Sequence, residues 1–424
     1  MKHCFHIYEE EDSGCIWNKR INIKGERGFD MKKAWKSLDY SLVLPLILLC
    51  TIGVIMVYSA SSIVAITRYE KYGYSSNHFF LSQLRAMGVG LFGLLIMFRL
   101  RYAILKKRGI AFFIYGVTIV LLVLVLKIGV TVNNAQSWLF GIQPAEFTKL
   151  AVILVVARFY AKKQELNESY IQGVGGIGFY LILVFALIYK QPDLGTDMLI
   201  AGVIIMMTIC SGISVEQLFK RVLLTSIIWG PTLYFVAAAK LTKVQVSRFT
   251  AYINPFADPT GAGLQLINSF IAIASGGVKG AGLGNSIQKS GYLPEPHTDF
   301  IIAIISEELG ILGVAIVLIC LLVIILRAFQ LAKKSRDPFA SMIAVGIGSM
   351  IAIQSVVNIG GITGMMPLTG VPLPFISFGG SSLVVNLASV GLLLNISARV
   401  KEQETKQEMK QETVPQKPHL VVVK

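Results

Sequence analysis

The sequence predicts an all-α integral membrane protein of ten transmembrane helices, with a large outer loop between the seventh and the eighth. Three observations predict it. Of the 424 residues, 54% are hydrophobic and 15% charged, against about 25% charged in an ordinary soluble domain. Apolar runs of about 20 residues, the length that crosses a bilayer, recur from Ser41 to Ala398. Basic residues cluster at alternate ends of those runs.

In chain order, residues 1–39 are polar and mixed in charge. Lys24-Gly25-Glu26-Arg27 can be encoded by a purine run resembling a bacterial ribosome-binding site, and it stands just upstream of Met31. From there MKKAWKSLDYSLVLP reads as a membrane-protein start, so residues 1–30 are expected to be a non-structural leader. No apolar core of a cleavable signal peptide is visible in the first forty residues. The spans are expected at 41–61, 78–98, 109–130, 143–161, 173–190, 194–212, 220–239, 299–327, 339–360 and 374–398. They make up a membrane domain over 31–400, and the charged, Gln-rich stretch 401–424 is expected to be a disordered cytoplasmic tail.

Charge sets the orientation. With the N-terminus inside, 28 of the 39 Lys and Arg fall on the cytoplasmic side, and each internal cytoplasmic loop has its own cluster. Both termini are then cytoplasmic, and 131–142, 190–194, 240–298 and 361–373 face outward. In a soluble protein the net charge of +15 would point to nucleic acid; distributed in this way, it points to a multi-pass membrane topology and no nucleic-acid partner. Within the largest outer segment, Leu264–Ser275 is too short to span and reads as an interfacial or re-entrant helix. The glycines of SGGVKGAGLGNS lack phosphate-loop spacing and read as turns and close packing; no nucleotide is expected. The five cysteines form no CxxC pair, which argues against a disulfide framework or a zinc site.

Four polar clusters fall on the outer side. In the first, Trp138 precedes Gln143, Glu146 and Lys149, the last two sharing a helix face at i,i+3. That pair could lock two helices or contact a substrate. Trp138 by itself would be an interfacial anchor. In the second, Asp193 of Gln191-Pro192-Asp193-Leu194-Gly195-Thr196 could be a helix cap, or part of an anion site at helix termini. In the third, His297, Thr298 and Asp299 open an apolar run, with Thr298 or Asp299 as a helix cap or Asp299 as a base. Glu307 and Glu308 follow, about 12 Å further along a helix, where acids usually face a cavity or mark a working site. The fourth is Pro372-Leu373-Pro374-Phe375-Ile376-Ser377-Phe378-Gly379-Gly380-Ser381-Ser382, whose small and hydroxyl residues suit either close packing or contact with phosphate or sugar.

Together these clusters resemble the SEDS family of FtsW, RodA and SpoVE over residues 38–398. The resemblance rests on QPAEFTKL, QPDLGT, NPFADPTGAG followed by Gln265, SGGVKGAGLG, YLPEPHTDFI, EELGILG and GVPLPFISFGGSSL, in one order along the chain. It implies a ten-span fold and a peptidoglycan glycosyltransferase that polymerises lipid II at the outer face of the cytoplasmic membrane. By motif it makes Asp299 the catalytic carboxylate. It implies substrate contacts from Trp138, Gln143, Glu146, Lys149, Asp193, Arg248, Gln265, His297, Thr298, Ser377, Gly379, Gly380 and Ser381. Two departures stand out. Ser137 occupies the place where many relatives carry Arg before the Trp, so Arg248 or Lys149 would supply that charge; and Asp197 falls where relatives usually have a small residue.

An inverting transfer from an α-linked diphosphate to a β-1,4 bond needs a base at the attacking hydroxyl and positive charge at the leaving group. A divalent cation, Mg or Mn, could share the second role, with Glu146, Asp193 and Asp299 as candidate oxygen ligands. The implied partners are lipid II, undecaprenyl diphosphate, a class B penicillin-binding protein transpeptidase and other divisome membrane proteins. DYSLVLPLILLCTIGVIMVYSASS and NHFFLSQL resemble the division branch, that of FtsW, and so suggest the septum. The alternatives are an elongation or sporulation polymerase of the RodA or SpoVE type, a lipid II flippase, and a scaffold with no need of Asp299.

Overall fold

The computed structural model describes residues 38–67, 73, 75–132, 135–166, 174–212, 243–261 and 263–412. The leader expected at 1–30 and the seventh span at 220–239 lie outside the described residues. The helices are α1 (Tyr40–Thr67), α2 (His78–Arg99), α3 (Arg108–Ile128), α4 (Pro144–Leu166), α5 (Val174–Tyr189), α6 (Leu194–Ile209), α7 (Lys243–Ile253), α8 (Leu264–Gly276), α9 (Ile301–Lys334), α10 (Pro338–Ile362) and α11 (Gly380–Glu412). Among the described residues, α1, α2, α3, α9, α10 and α11 are long and apolar enough to cross a membrane. The helix at the expected fourth span, α4, carries Glu146, Lys149 and Arg158 within that span, and the fifth and sixth are only 16 residues long.

The centre is built from α10 and α11, which are mostly buried. Around it, α2 packs on α11, α4 and α6 pack on α10, and α9 packs on both α10 and α1. Outward faces stay apolar: Leu44 and Ile55 on α1, Phe92 on α2, Phe113 on α3 and Ile319 on α9 are all exposed. Lipid chains satisfy such a surface, and helices satisfy their own backbone groups without water.

Three features depart from expectation. A two-stranded antiparallel hairpin, β1 (Val130–Val132) and β2 (Ala135–Trp138), interrupts the all-α pattern in the expected outer loop 131–142. The last helix does not stop near Ala398 but runs to Glu412, so 401–412 are helical, not disordered. Lys406 pairs with Glu402 at 2.7 Å and Lys334 with Glu404 at 3.0 Å along this extension. Finally, α9 is broken at Gly310, whose φ of 66° and ψ of −166° suit no other residue well. The glycine-rich segment repairs the break. Ala281 N–H donates to Glu307 O and Gly282 N–H to Glu308 O, both at 2.9 Å, and Ile311 N–H donates to Gly277 O at 3.0 Å. A Cβ on Gly280 would stand 2.2 Å from Glu308 O, so the approach requires glycine.

The same break explains the two acids within α9. The Glu307 carboxylate accepts from Ile287 N–H at 2.8 Å and from the Ser286 hydroxyl. Glu308 pairs with Lys289 Nζ at 2.6 Å and accepts from Ser59 Oγ of α1 at 2.8 Å. Both are buried and spent on fastening the loop. The sequence leaves a cavity or a working site open for these acids; the contacts they make are those that fasten this loop. A buried charge is tolerable here because it is paired and hydrogen-bonded.

The charges assigned to the cytoplasm gather at the opposite end of the bundle from Asp299. Asp39, ahead of α1, accepts from Arg327 Nε and Ser397 Oγ, each at 2.7 Å. Lys106 pairs with Glu165 and lies 3.9 Å from Asp337. Arg158 Nε donates to Lys106 O at 2.8 Å.

Candidate active site

Gln143-Pro144-Ala145-Glu146 starts α4 where the pattern predicts. Pro144 is the first helical residue, where a missing N–H costs nothing. Glu146 and Lys149 then meet at 2.6 Å with side chains 5% and 2% exposed. Gln143 extends this pair in two directions. Its backbone N–H donates to Ser381 Oγ at 2.9 Å, and its Nε2 donates to Asp193 Oδ2 at 3.2 Å. Asp193 caps α6, accepting from Thr196 N–H at 3.1 Å and from Thr196 Oγ1 at 2.9 Å. Burial raises the Asp193 carboxyl, the Thr196 hydrogen bonds oppose this, Glu146 adds to it and Lys149 opposes it. Clusters one and two thus form one assembly, and Ser381 joins it from the fourth.

The second assembly centres on Asp299. Helix α9 starts at Ile301, and its cap residue, Phe300, makes no side-chain cap bond. Neither Thr298 nor Asp299 is therefore the cap. Thr298 Oγ1 donates to Glu295 O at 2.9 Å, holding the preceding turn. Asp299 is half-buried. Its backbone O accepts from Asn358 Nδ2 of α10 at 2.8 Å. Its carboxylate faces Gly370, where a Cβ would stand 3.5 Å from Asp299 Oδ2 and 3.9 Å from both terminal nitrogens of Arg248. Arg248, exposed on α7, thus comes beside Asp299. Burial pushes the Asp299 carboxyl up to about 6, with Arg248 opposing and Glu295 assisting.

His297 is buried between Phe79 and Phe378, with ring centroids 4.4 and 5.4 Å away. Its carbonyl accepts from Phe378 N–H at 2.9 Å. Burial pushes its imidazole down to about 4, so it is neutral at pH 7, packed between the two aromatic rings.

The two assemblies adjoin through the segment before Pro372. A Cβ on Gly195, two residues after Asp193, would stand 2.8 Å from Thr369 O, and Thr369 precedes Gly370. Other expected residues lie apart. Trp138 ends β2 opposite Val130, and Gln265 lies in the first turn of α8; among the described residues neither is hydrogen-bonded to either assembly. Ser377 Oγ accepts from Leu373 N–H at 2.8 Å and so shapes its own turn, while a Cβ added at Gly379 or Gly380 would meet only ordinary van der Waals neighbours. Ser137, in the place of the family Arg, is buried on β2. Among the described residues no three His, Cys, Asp or Glu side chains gather closely enough to hold a metal. Sequence reasoning missed Asn358, Gln354 and Gly370. The first two are polar residues at i,i+4 inside an apolar span, a signal that could have found them.

Fold and site together define a multi-pass helical membrane protein with a polar, charge-bearing centre at one end of its bundle. Residues 40–402 match the family described as "Cell cycle protein", that of FtsW, RodA and SpoVE, and the chain belongs to this SEDS family. It is 46% identical to "Probable peptidoglycan glycosyltransferase FtsW" of Bacillus subtilis (strain 168), over 89% of this chain and 94% of that one. It is 40% identical to "Stage V sporulation protein E" of the same organism, over 85% and 97%. Among solved structures it is similar to a chain of "Structural coordination of polymerization and crosslinking by a peptidoglycan synthase complex", at TM-score 0.65 and 25% identity, covering 86% of this chain and 99% of that one. The fold is shared with the rod shape determining protein RodA of Thermus thermophilus at TM-score 0.60 and 24% identity, covering 86% and 97%.

Proposed function

We propose that this chain is a peptidoglycan glycosyltransferase that polymerises lipid II into β-1,4 glycan strands at the outer face of the bacterial cytoplasmic membrane. The observation that carries it is Asp299, half-buried with its carboxyl raised to about 6 and set beside Arg248. A base works best when its pKa lies near the working pH, and this one is still mostly ionised at neutrality. It takes the proton from the GlcNAc 4-hydroxyl of one lipid II as that oxygen attacks the anomeric carbon of the MurNAc of the growing chain. The α-linked bond to undecaprenyl diphosphate breaks, and the β bond forms in one displacement. Arg248 and Lys149 face the developing diphosphate charge. If a Mg or Mn ion takes part, Asp193, Glu146 or Asp299 would supply its protein oxygens, and it would add positive charge on the leaving-group side.

The finer topology belongs to the same proposal: ten spans, the seventh within 220–239, a long outer segment before α9 and both termini in the cytoplasm. The gathering of Lys106, Arg158 and Arg327 at the far end of the bundle supports it. A class B penicillin-binding protein as cross-linking partner and a place at the division septum belong to the same proposal; the similarity to a peptidoglycan glycosyltransferase FtsW and to a chain of a peptidoglycan synthase complex supports it. The decisive comparison uses purified protein in liposomes with lipid II. A polymerase yields glycan strands and free undecaprenyl diphosphate; a flippase moves lipid II across the bilayer and yields no polymer.

A further inference from the structure

We infer that Asn358 is a positioning residue for Asp299, and that Gln354 continues its hydrogen-bonding chain toward the Glu146–Lys149 assembly. This rests on the glycosyltransferase assignment above. Asn358 and Gln354 are one turn apart on α10, and both are buried. The Asn358 amide donates both its hydrogens to backbone carbonyls, to Asp299 O and to Val371 O, each at 2.8 Å. One turn back the Gln354 amide donates to one backbone carbonyl, Pro372 O, at 2.8 Å and to one hydroxyl, Ser382 Oγ, at 3.2 Å. Val371 and Pro372 are consecutive, so two amides on one helix face grip one strap of chain from the same side.

That strap runs past both assemblies. At one end Gly370, next to Val371, has the Asp299 carboxylate and the Arg248 guanidinium against it. At the other end Ser382 follows Ser381, which receives the Gln143 backbone N–H at 2.9 Å, and Gln143 holds Asp193. A continuous path therefore joins the backbone of the base to the turn that carries Asp193. Asn358 is its only member among the described residues whose side chain holds both Asp299 and the strap. With two carbonyls facing one nitrogen, only a side chain with two donated hydrogens fits. The isosteric Asp would set an oxygen against two carbonyl oxygens. Misplacement of a reacting group by about 1 Å can cost about 10²-fold in rate.

The test measures lipid II polymerisation by the full-length protein in liposomes, for wild type, Asn358→Asp and Asn358→Ser. Asn358→Asp is expected to lower kcat by about 10²-fold with KM changed less than about twofold, since the lost geometry matters in the transition state. Asp299 then drifts from Arg248, and the acid limb of the pH profile moves to higher pH. Asn358→Ser keeps one donor and should recover part of both effects, and it decides the matter by itself if Asn358→Asp does not fold. Wild-type kcat and an unmoved acid limb in Asn358→Ser would overturn the inference, as would a loss confined to KM. An inactive wild type would instead overturn the glycosyltransferase assignment, so the two failures are distinct.

Discussion

Glu146 and Lys149 meet at 2.6 Å, both almost wholly buried, one turn into α4. Each is the other's main compensation for leaving water. Removing either partner alone leaves an unpaired buried charge and should destabilise the protein by about 3–5 kcal/mol. Replacing both should cost less than the sum of the two single changes. Thermal unfolding of the four members of the cycle in detergent measures this, and strict additivity would contradict it.

The Asp299 carboxyl must be ionised to accept a proton, so polymerisation should fall as the pH drops through about 6. Arg248 lowers that value and Glu295 raises it. Arg248→Ala should therefore move the acid limb of kcat/KM to higher pH, and Glu295→Gln should move it to lower pH. A limb that moves in neither variant would separate the observed titration from Asp299.

Gly370 has a φ of +76° and lies against both Asp299 and Arg248. Gly370→Ala adds left-handed strain of about 1–2 kcal/mol. It also places a methyl 3.5 Å from Asp299 Oδ2. Activity should fall more than stability does; a glycan yield that merely tracks thermal unfolding would point to strain alone.

Sidedness can be read by thiol labelling. Ser290, exposed in the segment before α9, and Ser335, beside Lys333, Lys334 and Arg336, should differ. In a chain stripped of its own cysteines, Ser290→Cys should react with a membrane-impermeant reagent in intact cells, and Ser335→Cys only after permeabilisation. Labelling of Ser290→Cys only after permeabilisation would turn Asp299 toward the cytoplasm and remove it from lipid II on the outer face.

Much of this was legible in the sequence because membrane helices write themselves as long apolar runs and charge clusters mark their ends. The start of α4 at Pro144 and the turn at Asp193 were readable as local chemistry, and their meeting through Gln143 matches their shared side. The hairpin at Val130–Trp138 escaped notice because strands of three and four residues leave no alternating pattern. The tail beyond Arg399 was read as disordered from its composition. Over 401–412 its Glu, Lys and Gln are nonetheless good helix formers, and they extend a helix already nucleated in the membrane. Glu307 and Glu308 looked functional because intramembrane acids usually are, and only the break at Gly310 shows what they hold. Arg248 and Asp299 come together at Gly370 across a sequence gap that no local pattern spans.

The most direct measurement is lipid II polymerisation by purified wild type and Asp299→Asn, matched for folded protein in the same liposomes. Asn keeps the size of the side chain and removes its basicity, so glycan synthesis should fall by about 10²–10⁴-fold while lipid II is still bound. Near-normal glycan strands from Asp299→Asn would contradict Asp299 as the base.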